Sequence, residues 1–385
     1  MRLAALVISA LLCCVGCTAD PTAAAHSRFA YVINQGAEGG RGGYIAAYKV
    51  NPSTGALTPS ARMAVGDTLA FQIDPAGRFV YRLTLNPAKM LLYTIDPATG
   101  RLLPEPGSPF ASGTSPAGPA ALLLDPKGRF AYAADSLFAP HDKVFGYAVN
   151  GKTGRLKAIP GSPFPDGSGP GEMAIDPSGK FAYVADQVSN GVTGFAIDQG
   201  TGALTAMPGS PYTTADTPTG LAIHPSAKFL YYITWQNVSV PNDPAMVAVA
   251  SLWADTIDPA SGKLEPVPGS PFSAGDNVGA IQIDPSGRFA YVLNGDHSNV
   301  AAWTIDQNSG ALTPMPGAPW PAGKHPLSMT ISDRFVYMLN GGSIPTLSTY
   351  TIDVTTGALK RATGSAVAAG PNPGSVFVTP DVARR

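Results

Sequence analysis

IDPSGRFAYVLNGDHSNVAAWTIDQNSGALTPMPGAPW, residues 283–320, is the unit from which most of this chain is built. Its most regular piece is a basic residue, Phe, any residue and Tyr. That piece stands at Arg28-Phe29-Ala30-Tyr31, Arg78-Phe79-Val80-Tyr81, Arg129-Phe130-Ala131-Tyr132 and Lys180-Phe181-Ala182-Tyr183. It returns at Lys228-Phe229-Leu230-Tyr231, Arg288-Phe289-Ala290-Tyr291 and Arg334-Phe335-Val336-Tyr337. The Phe-to-Phe spacings are 50, 51, 51, 48, 60 and 46 residues. A period in this range marks a repeat architecture, in which each unit buries its apolar face against the next.

Within a unit the pattern predicts four short strands. Residues 121–124 are an apolar run closed by Asp125-Pro126-Lys127-Gly128, a turn signature. Residues 129–134 alternate and carry aromatics, as strands do. Residues 144–149 form a third strand, Asn150-Gly151-Lys152-Thr153-Gly154 a second turn, and residues 155–159 a fourth strand. Four strands per unit is the composition of a propeller blade. Seven units therefore predict an all-β fold, a single seven-bladed β-propeller over residues 28–380. The first unit has no strand before Arg28, whereas residues 374–379 form a spare one before Pro380. The C-terminal strand is expected to complete the N-terminal blade and close the ring, which removes long open edges.

The 385 residues are 44% hydrophobic and 13% charged, ample material for a core. The 43 Gly and 38 Pro fall at repeated turn positions, which is turn chemistry and not low complexity. A net charge of −1 with no basic stripe argues against a nucleic-acid partner. Arg2 precedes the apolar run 3–15, too short for a membrane span and suited to a signal segment. All three cysteines, Cys13, Cys14 and Cys17, lie in or just after it. Val15-Gly16-Cys17 resembles a bacterial lipobox, with Cys17 as the acylated residue, and Thr18 after it implies the outer membrane. Residues 1–17 are thus expected to be a signal peptide with lipobox, 18–27 a tether and 381–385 a tail. The protein is expected to be exported and to meet the membrane only through the lipid anchor, facing the periplasm or the cell surface. The remaining chain has no cysteine, which excludes disulfides and thiol catalysis there.

Many polar residues read as turns. Asp74, Asp125, Asp176 and Asp284 open Asp-Pro turns, with His224 in the same place once. Asp96, Asp198, Asp258, Asp306 and Asp353, with Asn51 and Asn150, begin the turn after the third strand, and a Gly follows each. Three residues before that turn stand Tyr48, Tyr93, Tyr147, Phe195, Trp303 and Tyr350, expected to pack between blades. Blade five departs from this, with Asp255 at that place, Trp253 displaced and an insertion over residues 235–248. A long loop on a rigid scaffold suits a lid or a protein-partner contact. Pro-Gly-Ser-Pro-Phe, first at residues 106–110, recurs as the connector between blades.

The opposite face varies from blade to blade and is acidic, which favours a cation or neutral polyol over an anion. Three residues after each repeat Tyr stand Asn34, Thr84, Asp135, Asp186, Thr234, Asn294 and Asn340. These either cap the following turn or line the channel mouth. Asp135 and Asp186 are candidate oxygen ligands for a divalent cation such as Ca²⁺. Asn294, Asn340, His297 and Lys324 are candidates for substrate contact. The sequence contains no HExxH, P-loop, G-x-S-x-G elbow or dinucleotide-binding glycine motif.

Asp-Pro-x-Gly-Arg-Phe-x-Tyr, then Tyr-Val-Leu-Asn294, then Ile-Asp-x-x-(Ser/Thr)-Gly-x-Leu resembles the lactonase family of seven-bladed propellers. That family includes the propeller-type 6-phosphogluconolactonases and is similar to fungal muconate-lactonising enzymes. The Tyr-Val-x-Asn pieces also resemble YVTN-repeat surface proteins. The resemblance implies a carboxylic ester hydrolase. Catalytic members carry Gly-Pro-Arg-His at the start of an inner strand. Here the match is Gly169-Pro170-Gly171-Glu172, without the anion-binding guanidinium and the imidazole. This departure, and export, argue against a phosphorylated lactone. Glu172 and, at Lys324-His325-Pro326, His325 are the candidate bases. The expected function is an exported lactonase-like hydrolase of a small sugar-type lactone. The alternative is a non-catalytic cell-envelope propeller that binds a glycan or a protein partner through the blade-five loop.

Overall fold

The computed structural model describes residues 28–380 except 37–41, 85–88, 112–118, 136–142, 166–168, 240–245, 277 and 365. Seven antiparallel sheets each run inner, second, third, outer strand, and among the described residues there is no helix. Blade 1 pairs the C-terminal inner strand Pro373–Val378 with Arg28–Asn34, then Tyr44–Val50 and Leu57–Ala64. The register places Tyr31 opposite Phe377 and Val32 opposite Val376. The ring therefore closes as the spare strand requires.

The other six blades add a short fifth strand, two residues long except for Phe272–Asp276 in blade 5, that pairs back on the third strand beyond the outer one. In blade 4, for example, Tyr212–Thr213 pairs with Gly191–Ile197 above Leu204–Ala206. The Pro-Gly-Ser-Pro-Phe segment is thus more than a connector, since its aromatic end is part of the sheet. Its second proline follows a cis bond at Pro109, Pro163, Pro211, Pro271 and Pro319. Blade 1 lacks the motif and instead runs one eight-residue outer strand.

The repeated motif holds neighbouring blades together. Tyr31 donates its hydroxyl to the Gly100 carbonyl of blade 2 at 2.9 Å. Tyr81, Tyr132, Tyr183, Tyr231 and Tyr291 repeat the bond to Gly154, Gly202, Gly262, Gly310 and Gly357. The Phe of the same motif packs on the same glycine: a Cβ on Gly202 would come within 2.4 Å of Phe130. The basic residue completes the latch, as when Arg288 reaches the Val354 and Thr355 carbonyls and Arg334 the Ser53 carbonyl. Fully buried tyrosines at seven equivalent positions make this layer the core. The aromatics before the second turn pack against the preceding blade, as Phe195 does with Phe130 and Tyr132. His224 is a turn residue, with Nδ1 against Ser226 and Nε2 against the Gly287 carbonyl.

Candidate functional site

Inner and third strands run in the same direction, so the two stereotyped turns share one face, here the turn face. The other end, where inner strands begin and second strands end, is the open mouth. There each second-strand end lies opposite the start of an inner strand: Asn34 faces Pro373, Asp135 faces Pro119, Asp186 faces Pro170, Thr234 faces Pro218 and Asn340 faces Pro326. In each of these pairs the register shifts just past the contact. The bulge turns the residue two places after the proline toward the next blade.

That position is Ser375, Ala70, Ala121, Glu172, Gly220, Ala280 and Ser328 around the ring. Six are small, and only Glu172 can ionise. Glu172 belongs to the blade 4 inner strand Pro170–Ile175 and is 7% exposed. Its Oε2 accepts the Leu221 N–H of the next inner strand at 3.3 Å. Ser328 Oγ accepts the Val376 N–H in the same way at 3.4 Å. Gly220 of the next inner strand lies beside it, where a Cβ would stand 3.6 Å from Oε2, an ordinary contact. It forms no ion pair among the described residues. Burial raises its carboxyl well above the ordinary range, and the Leu221 N–H only partly opposes this. Such a carboxyl holds its proton more tightly than an exposed one and, once ionised, is a strong acceptor.

Two neighbours complete the blade 4 sector. The Gln187 side chain lies over Gly171, where a Cβ would come within 2.5 Å of its Nε2. Gln187 therefore occupies the space above the position at which the Gly-Pro-Arg-His pattern has arginine. Asp186 is fully buried, and its Oδ2 accepts the Thr193 hydroxyl. Asp135 ends the neighbouring second strand Phe130–Asp135, and its side chain lies outside the described residues. Among the described residues, no three His, Cys, Asp or Glu side chains gather to hold a metal.

The other candidates sit across the mouth, in blades 6 and 7. Asn294 is buried and its Oδ1 accepts the His297 N–H at 3.0 Å, capping the turn. The next residue, Ser298, takes the His325 N–H on its Oγ at 3.2 Å. His325, with φ of 49°, gives its carbonyl to Gly341 N–H, and Lys324 gives its own to Gly342. Asn340 is buried beneath Gly323 and donates to the Ser348 hydroxyl. Asn294, His297, Lys324, His325 and Asn340 thus form one sector, with His297, Lys324 and His325 exposed. Blades 4 and 7 are three places apart in a ring of seven. Glu172 and His325 therefore face each other across the channel and share no hydrogen bond.

Blade 5 rises beside the mouth. Its second and third strands, Phe229–Ser239 and Met246–Ile257, pair five residues beyond Thr234, where the others stop. The insertion is therefore a lengthened hairpin. Cys17 lies outside the described residues.

The family model "Lactonase, 7-bladed beta-propeller" matches residues 106–216 and 256–378, more than half of the chain. The chain belongs to the lactonase family of seven-bladed β-propellers. The unmatched interval, 217–255, contains the lengthened hairpin and Asp255. No curated protein matches this lactonase-family propeller. Among solved structures it is similar to a candidate 6-phosphogluconolactonase from Bacteroides uniformis, with TM-score 0.72 and 19% identity over 91% of this chain and 99% of that one. The periplasmic gluconolactonase of Pseudomonas aeruginosa gives TM-score 0.70 and 19% identity over 92% of this chain and 100% of that one. A β-propeller domain from Myceliophteria thermophila matches with TM-score 0.52 and 12% identity over 81% and 90%. At these identities the likeness is one of fold.

Proposed function

We propose that this lactonase-family propeller hydrolyses a small, sugar-type lactone at the blade 4 side of the open mouth. The observation that carries the reading is Glu172, a buried carboxyl at a position that is small in every other blade. In the proposed reaction Glu172, ionised, takes a proton from water as the water oxygen attacks the lactone carbonyl carbon. The same proton then passes to the ring oxygen as the carbon–oxygen bond breaks, leaving a hydroxy acid. In the same proposal Gln187, and His297, Lys324 and His325 from across the mouth, contact the sugar hydroxyls. A neutral lactone suits the mouth better than a phosphorylated one, since Gly171 stands where an anion-binding arginine would be. The similarity to a gluconolactonase and to a candidate 6-phosphogluconolactonase supports the class. Export and lipid attachment at Cys17 remain part of the same proposal, as does Ca²⁺ at Asp135 and Asp186.

The Ser328–Val376 bond favours a second reading, because it shows the same contact doing a purely structural task. On that reading Glu172 is a spacer, and the mouth binds a glycan, or a protein beside the blade 5 hairpin, without turnover. Proton release from gluconolactone and its 6-phosphate, above spontaneous hydrolysis and with or without chelator, separates the two. Glu172→Gln keeps an acceptor for Leu221 N–H but cannot carry the proton, so its rate should fall by about 10²- to 10⁴-fold while circular dichroism shows the fold retained. Equal rates for the variant and the parent would rule Glu172 out as the base. Rates at background for both would favour the binding reading.

A further inference from the structure

The turn face carries a charge pattern that the proposed reaction does not use. Five blades place an Asp in the turn after the third strand, and blade 1 has Asn51. Blade 3 has Asn150 there. Its turn face holds Lys127, Arg129, Lys152, Arg155 and Lys157 against one carboxylate, Asp125, which is fully buried and paired with Arg129 at 3.1 Å. The other four cations are exposed, and none forms an ion pair with a described residue. Arg155 is held by a neutral partner, the Pro106 carbonyl across the seam, at 2.7 Å. Beside them a cleft of about 390 Å³ opens between Arg78 and Lys152, lined also by Phe79, Ile95 and Glu105.

The position of this patch gives it meaning. Strand Arg28–Asn34 begins at the turn face, and inner strand Pro373–Val378 ends there. The 27 residues ahead of Arg28, with their apolar run and Cys17, therefore join the ring on the face that carries this patch. We propose that the turn face of blade 3 docks on an anionic lipid surface, with the open mouth and Glu172 turned toward solvent. Exposed cations near such a surface are attracted to it individually and over a distance of about 10 Å at moderate salt. The patch is one blade wide, with Asp96 and Glu105 on one side and Asp198 on the other. A duplex nucleic acid would need a longer basic track. The proposal does not depend on catalysis, and its failure would leave the lactonase reading untouched.

The test uses residues 28–380, the closed ring, without the lipid anchor. Co-sedimentation is measured with phosphatidylcholine vesicles and with vesicles containing about 30% phosphatidylglycerol, at low and high salt. The expected result is at least about tenfold more protein on the anionic vesicles, lost at high salt. Lys152→Glu, Arg155→Glu and Lys157→Glu together should abolish the preference. Lys263→Glu, Lys360→Glu and Arg361→Glu, far round the ring, should retain it. All six positions are exposed, and circular dichroism checks that both triples fold. Equal binding to neutral vesicles, or equal loss in both triples, would overturn the proposal. So would displacement by millimolar inorganic phosphate, which would show a free-anion site, or tighter binding to duplex DNA.

Discussion

Tyr337 is the member of the repeated tyrosines whose hydroxyl has no partner among the described residues, and the Gly55 carbonyl equivalent to the others' acceptor takes the Thr349 hydroxyl instead. The six other tyrosine–glycine bonds join neighbouring blades. Tyr81→Phe should therefore lower stability by about 1 kcal/mol, and Tyr337→Phe by close to nothing, in urea unfolding. Asp255 makes a second residue-scale prediction. It is buried where other blades have an aromatic, and Tyr232 is its hydrogen-bond partner. Burial pushes its carboxyl from 3.8 to about 6, with the Tyr232 bond opposing. The folded chain thus holds this proton more tightly than the unfolded chain does. Its favourable contribution is full below about pH 4 and is lost as the pH rises through about 6. Asp255→Asn should flatten that part of the melting-temperature profile. A profile as steep in the variant as in the parent would assign the slope elsewhere. Glu172 works in the same direction, so Glu172→Gln should gain stability over the parent as the pH rises from 5 to 8, by about 1.4 kcal/mol per unit of raised pKa at most.

At the scale of the element, the glycine that ends each turn after the third strand is doubly constrained. Gly202 has a φ of 77°, and a Cβ there would strike Phe130. Gly209, in the blade connector, has a φ of 82° but open space around it. Gly209→Ala should cost only the backbone term, about 1–2 kcal/mol. Gly202→Ala should cost several kcal/mol, since a packed aromatic must also move. Similar losses at both sites would mean that the Phe130 contact contributes little. The blade 5 hairpin is an element of another kind. Its added residues extend past the ring and do not interrupt the latch of Tyr231 on Gly310. Insertions of this sort are tolerated where few core contacts cross them.

For the whole molecule, closure depends on a strand from the far end of the chain. Removing residues 373–380 would leave Arg28–Asn34 as an exposed edge and open the seam between blades 7 and 1. Such an edge invites aggregation. The truncated chain should melt at least about 10 °C lower or become insoluble, because many cooperative contacts are lost at once. A truncated protein that melts like the parent would show that the latch of Arg334 on Ser53 and the Phe335 contact with Gly55 suffice to close the ring.

The repeat in the sequence determined the number of blades, their strand order, the turn residues and the closing strand. It could do so because each blade uses the same local chemistry: Asp-Pro turns, alternation, and a glycine at a fixed offset. It also singled out Glu172, through its departure from the family's motif. What it left open was the meaning of the motif itself, since the partner of each Tyr lies in the next blade, 66–79 residues away. Gln187 was missed for a related reason. Its importance comes from lying over Gly171, and only the bulge at Pro170 brings the two together. The ring of Asn and Asp residues likewise divided only in three dimensions, where Asn294 caps a turn and Asn340 is buried under Gly323. Repetition is local and can be read along the chain. The distance between Glu172 and the His325 sector is set by the angle at which blades pack, which belongs to the closed ring and to no single unit.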